Sequence, residues 1–165
     1  EESLRRLHST GVRFQALVFG NSGNAPSNRC YDAKYLGQLK GVDELRDAYG
    51  AMSVMVIPSR IDNLPNTGLE ASACGVPIVA FDVGGLRDII ETEVSGLLAE
   101  PFDTQRLADH IRRFLVLTES ESMEVSEKCR KYAVDKFGNE KVGKMYMDLY
   151  CQITDESKGH IHDGC

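Results

Sequence analysis

Apolar runs without a polar face alternate along this chain with stretches whose apolar residues recur every three or four positions. Arg13 to Gly20 (RFQALVFG) reads as a buried strand, followed by a loop rich in Gly, Ser, Asn and Pro through Asn28. Asp32 to Leu39 (DAKYLGQL) reads as a second strand, with a short helix after it over Val42 to Ala51. Ser53 to Ser59 is nearly all apolar, as expected of a strand covered on both faces. Thr67 to Cys74 predicts a short helix, stopped by Gly75 and Pro77. Val76 to Val83 (VPIVAFDV) is the next strand, and Gly96 to Glu100 a short final one.

The last third is helical. Asp103 can cap a helix that shows Leu107, Ile111 and Phe114 on one face, and Glu121 to Lys136 follows with Val125, Cys129, Tyr132 and Ala133. A final helix carries Val142, Met145, Tyr146, Leu149, Tyr150 and Ile153 at 3–4 spacing. Strands alternating with helices imply right-handed crossovers and an α/β fold, a doubly wound, Rossmann-like parallel sheet. Ligands bind such sheets outside the carboxyl ends of the strands. The loops after Gly20, Gly37, Ser59 and Val83 all fall at such ends, which predicts one cleft.

Length and charge narrow the classes. At 165 residues the chain suits one domain with its own core. We assign residues 1–153 to that domain and 154–165 to a flexible polar tail, in which His160 and His162 belong to the tail rather than to a metal. The opening EESLRRLHSTG lies inside a helical pattern (Leu4, Leu7) and lacks an initiator Met. We therefore expect a piece of a longer protein, with the first strand of the sheet outside it. A net charge of −6 argues against a nucleic-acid or anionic-membrane footprint. No apolar run approaches the ~20 residues needed to span a bilayer. Five scattered cysteines (Cys30, Cys74, Cys129, Cys151, Cys165) form no CxxC pair, so a reduced, cytoplasmic setting is expected and a zinc site is not.

The chemistry concentrates between Pro58 and Ile90, where Asp62 and Glu70 stand eight positions apart around a helix start. Pro65 suits the turn leading in, and Thr67 reads as the N-cap. Free N–H groups in that first turn, at the positive end of the helix dipole, favour a phosphate. A carboxylate accepts hydrogen bonds from two vicinal hydroxyls, so Glu70 suits a ribose diol and Asp62, farther out, a sugar beyond the phosphates. Each acid also has a purely structural explanation. Thr67-Gly68-Leu69-Glu70 fits a capping box, in which Glu70 satisfies the cap's own N–H. Asp62-Asn63 is a common turn former.

Asp62-x7-Glu70, the EASACGVPIVA run from Glu70 to Ala80, and Gly84-Gly85 with Asp88 beyond resemble the donor-binding, C-terminal half of retaining glycosyltransferases of the GT-B type, in family 4. Those enzymes carry E-x7-E, EAxAxGxPVVA and GG in this order. The DNLPNT core (Asp62 to Thr67) is similar to a subgroup associated with bacterial surface-polysaccharide synthesis. Val18 to Gly20, Tyr35 to Leu39 and Phe137 to Tyr150 follow the family's order and spacing. The resemblance implies sugar transfer from a UDP- or GDP-sugar with retention of configuration, no cofactor and no required metal. By position, Glu70 would hold the ribose hydroxyls. Asp62 would be the catalytic residue, contacting the transferred sugar and helping to hold the donor in its reactive pose. Asn66 and Thr67, with Gly68 beside them, would present main-chain N–H groups to the diphosphate. Gly37 to Leu39 would border the base, Gly20 would let the backbone approach the donor, and Gly84 and Gly85 would line the cleft, though a tight strand-to-helix turn explains that pair as well.

Asp62 departs from the family's Glu by one methylene, and Pro65 stands where many members have Gly and offers no N–H. The Arg and Lys that the family brings to the diphosphate, and its acceptor-binding domain, would lie in an N-terminal part of the same protein, so this chain alone is expected to be inactive. Lys34, Lys40 and Arg60 are nearby cations that nothing in the spacing favours over surface residues. A lipid-linked acceptor would place the full-length protein peripherally at the inner membrane face. Two other readings stay open. One is a nucleotide-sugar epimerase or phosphorylase of the same fold, for which no base or cofactor lysine is visible. The other is a non-catalytic nucleotide-binding remnant. A receiver-like module would need an acidic cluster after the first strand, where the chain has Val18-Phe19-Gly20.

Overall fold

The structure is a computed structural model and describes residues 1–20 and 29–159. Helix α1 (Glu2–Ser9) opens the chain, followed by strands β1 (Gln15–Phe19) and β2 (Asp32–Gly37). Helix α2 (Val42–Gly50) leads to β3 (Met55–Ile57), α3 (Asn66–Ala73), β4 (Ile78–Phe81), α4 (Leu86–Ile89) and β5 (Gly96–Ala99). Helices α5 (Thr104–Leu115), α6 (Glu119–Phe137) and α7 (Asn139–Gly159) complete the order. Every expected strand is present, each somewhat shorter than its apolar run. Helix α4 is one turn, too brief for periodicity to announce. The loop from Asn21 to Asn28, and His160 and His162, lie outside the described residues.

All strand pairs are parallel. β1 pairs with β2, with Gln15 opposite Asp32 and a register shift between Val18 and Phe19. β3, β4 and β5 form a second sheet in that order. The parallel sheet is thus found in two pieces, and among the described residues no hydrogen-bonded ladder joins β1 to β3. Side-chain packing links the pieces instead, through Phe14, Val12 and Phe19.

β4 shows why the fold is doubly wound. Successive side chains of a strand point to opposite faces. Val79 and Phe81 pack with Leu7 of α1 and with Leu107 and Ile111 of α5. Ile78 and Ala80 pack with Ile57 and with Leu86 and Ile89 of α4. All four residues of the strand are buried because both faces are covered. Burying each of the larger aliphatic side chains contributes about 1.5–3 kcal/mol. Helix α6 lies against α3 and buries Cys129, whose thiol donates to the Val94 carbonyl and is pushed up to about 12 by desolvation.

Helix α7 continues past Ile153, where the tail was expected to begin, through Gly159. Its stripe of Met145, Tyr146, Leu149, Tyr150 and Ile153 is exposed. The 3–4 spacing is right about the helix, but no described element covers the face it creates.

Candidate functional site

The start of α3 organises the carboxyl edge of the sheet. Its N-cap is Pro65, which has no side-chain donor or acceptor, and the Pro65 carbonyl accepts the Gly68 N–H at 2.9 Å. Thr67 is therefore the second helical residue and not the cap expected from its chemistry. Asn66 and Thr67, both exposed, are the first two helical residues, whose N–H groups have no partner within the helix. They are the amides that α3 offers to an anion. Gly68 faces inward. A Cβ there would lie 2.7 Å from Ile89 Cδ1 and 3.2 Å from Ile57 Cδ1, so this glycine lets α3 sit close on the sheet.

Glu70 does not close a capping box. Its Oε2 accepts the hydroxyl of Tyr49 at 2.8 Å, from the last turn of α2. Tyr49 is buried, with its ring edge-on to Phe19 at 5.8 Å. Desolvation, followed by the hydrogen bond and the charge of Glu70, raises the phenol's pKa, so it stays protonated and donates. Among the described residues nothing donates to Oε1 of Glu70, which is exposed.

Asp62 occupies the loop between β3 and α3, half-buried, and its Oδ2 accepts the Ser59 hydroxyl at 3.0 Å. The glycine pair after β4 seats this loop. Gly85 N–H donates to the Asp62 carbonyl at 3.3 Å. A Cβ on Gly84 would collide with the Asp62 carbonyl, and one on Gly85 with the Asn63 carbonyl. Gly84 also has φ +54, a conformation glycine adopts without strain. Close backbone approach is thus the reason for both glycines, and through it Gly84 and Gly85 touch the Asp62 loop directly.

Gly20 and Gly37 meet at the carboxyl ends of β1 and β2, where Gly20 N–H donates to the Gly37 carbonyl at 2.8 Å and both have positive φ. Phe19, next to Gly20, packs on Tyr49, which donates to Glu70. Leu39 is half-buried two residues past β2. Arg60 stacks its guanidinium over Phe102 at 5.6 Å, the Lys40 backbone N–H is tied to Glu44 ahead of α2, and Lys34 is exposed on β2. His110 flanks the core, with Nε2 3.2 Å from the Leu98 carbonyl and its pKa lowered by burial. Among the described residues no group of three or more His, Cys, Asp or Glu side chains could hold a metal.

Tyr49 is the residue that sequence reasoning missed. The Leu45–Tyr49 spacing shows that its ring can be buried, but nothing in the chain connects its hydroxyl to an acid 21 residues away.

Comparison with known proteins identifies the family and the fold. A D-inositol 3-phosphate glycosyltransferase of Saccharomonospora viridis is 34% identical over 120 residues, covering 73% of this chain and 27% of its own length. The structure of sucrose-phosphate synthase from Thermosynechococcus elongatus matches with a TM-score of 0.73 and 26% identity, over 94% of this chain and 42% of that one. Anabaena HepE, crystallised in complex with UDP, matches with a TM-score of 0.64 over 73% of this chain and 32% of its own; at 22% identity it shows the fold alone. The chain thus spans well under two thirds of each of these proteins. No described helix is long and apolar enough to cross a membrane. Residues 2–116 match the model of the family described as glycosyl transferases group 1. With that match the chain belongs to the group 1 glycosyltransferase family, and its parallel α/β fold is that of a Rossmann-like half of the GT-B type.

Proposed function

We propose that this chain is the donor-binding half of an enzyme that transfers a sugar from a UDP- or GDP-sugar to an acceptor, with retention of configuration and no required metal. One observation carries the reading: Glu70 is kept out of its own helix cap and has an oxygen to which no described residue donates, on a helix whose first turn has no side-chain cap. Glu70 accepts the ribose hydroxyls. The Asn66 and Thr67 amides and the α3 dipole take the diphosphate, whose charge grows as the sugar departs. Asp62, oriented by Ser59 and seated by the glycine pair, meets the transferred sugar. Gly20, Gly37 and Leu39 border the base.

The acceptor, a growing glycan or surface polysaccharide in this reading, is bound by an N-terminal part of the same polypeptide, which also brings cations to the leaving diphosphate. What supports this division is length, since the chain covers 27% and 42% of two relatives. A lipid-linked acceptor would bring the whole protein to the inner face of the membrane.

Calorimetry of the chain with UDP, GDP and ADP tests the donor site. One of the three is expected to bind, and Glu70→Ala is expected to weaken it roughly tenfold to a hundredfold, since hydrogen bonds to a charged group contribute about 1.5–3 kcal/mol. Unaltered affinity in that variant would sink the reading.

A further inference from the structure

We propose that Tyr49 is a positioning residue for the donor: its hydroxyl fixes the Glu70 carboxylate in the orientation that accepts the ribose hydroxyls, and so sets a preference for ribonucleotides over 2′-deoxyribonucleotides. The inference rests on the donor-site reading above and goes beyond it, because Tyr49 itself touches no part of the ligand.

The geometry is specific. The ring of Tyr49 is buried with Ala71 and Val76 of the α3 region and lies edge-on to Phe19, so it cannot swing away. Its hydroxyl meets Oε2 of Glu70 at 2.8 Å. A glutamate at the surface of a helix ordinarily samples several rotamers, and binding a diol would have to select one of them. Here one oxygen is already held from below by a group that only donates to it, because burial keeps the phenol protonated. Among the described residues nothing donates to the other oxygen of this exposed side chain, and the held oxygen keeps a second lone pair, so acceptor capacity remains for a ligand. Fixing a carboxylate through a second layer of hydrogen bonding is how precise polar sites are preorganised. The alternative is a purely structural phenol, one that uses Glu70 only to satisfy its own buried hydroxyl. That alternative predicts no link between Tyr49 and the ligand's hydroxyls.

The test compares binding of the nucleoside diphosphate selected from UDP, GDP and ADP with binding of its 2′-deoxy counterpart, in the unsubstituted chain and in Tyr49→Phe. The unsubstituted chain is expected to prefer the ribonucleotide by about tenfold. Tyr49→Phe is expected to cut that preference to below about threefold, chiefly by weakening the ribonucleotide. In Glu70→Ala, adding Tyr49→Phe should weaken binding no further. A Tyr49→Phe variant that keeps the full preference, or weakens both nucleotides equally, overturns the inference while leaving the Glu70 reading intact. No preference in the unsubstituted chain removes the Glu70 reading and this inference with it. A measurement without substitution guards against misfolding of the variant: the ring resonances of Tyr49, followed by NMR, should shift on titration with the ribonucleotide and much less with the deoxynucleotide. Equal shifts with both overturn the proposal.

Discussion

Two helices of this chain start from the same local pattern, Thr67-Gly68-Leu69-Glu70 at α3 and Thr118-Glu119-Ser120-Glu121 at α6, and are built differently. At α6 the capping box closes. Thr118 Oγ1 accepts the Glu121 N–H at 3.3 Å, and Glu121 Oε2 accepts the Thr118 N–H at 2.8 Å. At α3 the helix begins one residue before Thr67, and Glu70 turns to Tyr49. The difference lies in what surrounds each first turn. The start of α6 is exposed and its own side chains must satisfy its first N–H groups. The start of α3 is held from outside, by Gly68 against Ile89 and Ile57 and by the glycine pair under the Asp62 loop. A helix braced by its neighbours can leave its first turn uncapped, and an uncapped first turn beside an exposed acid is what an anionic, hydroxyl-bearing ligand requires.

Gly85→Ala strikes that external brace and should have the largest effect. Gly85 has φ −81, which alanine adopts readily, so the substitution tests only the collision with the Asn63 carbonyl. Because backbone must move to relieve it, a loss of about 1–3 kcal/mol is expected, seen as a melting temperature several degrees lower. Nucleotide affinity should fall with it as the Asp62 loop shifts. An unchanged melting temperature would mean that the start of α3 does not depend on this contact, and the contrast with α6 would lose its basis.

Much of this architecture was legible in the chain because it is local or periodic. The apolar run Val76 to Val83 announced a strand, and Leu107, Ile111 and Phe114 announced one face of α5. The acids were found because Asp62 and Glu70 flank a helix start. What was not legible depends on tertiary contacts. The T-x-x-E pattern could not say which of two donors Glu70 would serve, since Tyr49 reaches it from another helix. Gly84-Gly85 read equally as cleft lining or turn until the Asp62 and Asn63 carbonyls were seen against them. The exposed stripe of α7 has the same cause: spacing reveals a face, and only neighbours decide whether it is covered.

Thr118→Ala and Thr67→Ala form the next, smaller test. Removing a hydroxyl that caps a helix costs about 1 kcal/mol. That loss is expected at Thr118 and should leave nucleotide binding untouched. At Thr67, exposed and already inside the helix, the cost should stay within about 0.5 kcal/mol. Urea titrations of the two variants measure both values, and equal losses would erase the distinction between the two helix starts.

The smallest effect is electrostatic and belongs to α6 alone. The hydrogen bond from the Thr118 backbone, and then the one from its side chain, hold the Glu121 carboxyl below its ordinary 4.5. A carboxyl whose pKa is lower in the folded state contributes stability that is present above the unfolded value and is lost as pH falls through the folded one. Glu121→Gln keeps the box's hydrogen-bonding pattern and removes only the charge. The unsubstituted chain should therefore be slightly more stable than Glu121→Gln near neutral pH. Because Glu121 is fully exposed, the margin should be well under that of Thr118→Ala. It should shrink as the pH is taken below the ordinary carboxylate range and be gone once Glu121 is protonated. Melting curves of both proteins across that range check the sign, and a margin that survived in acid would have to come from something other than the charge closing the α6 box.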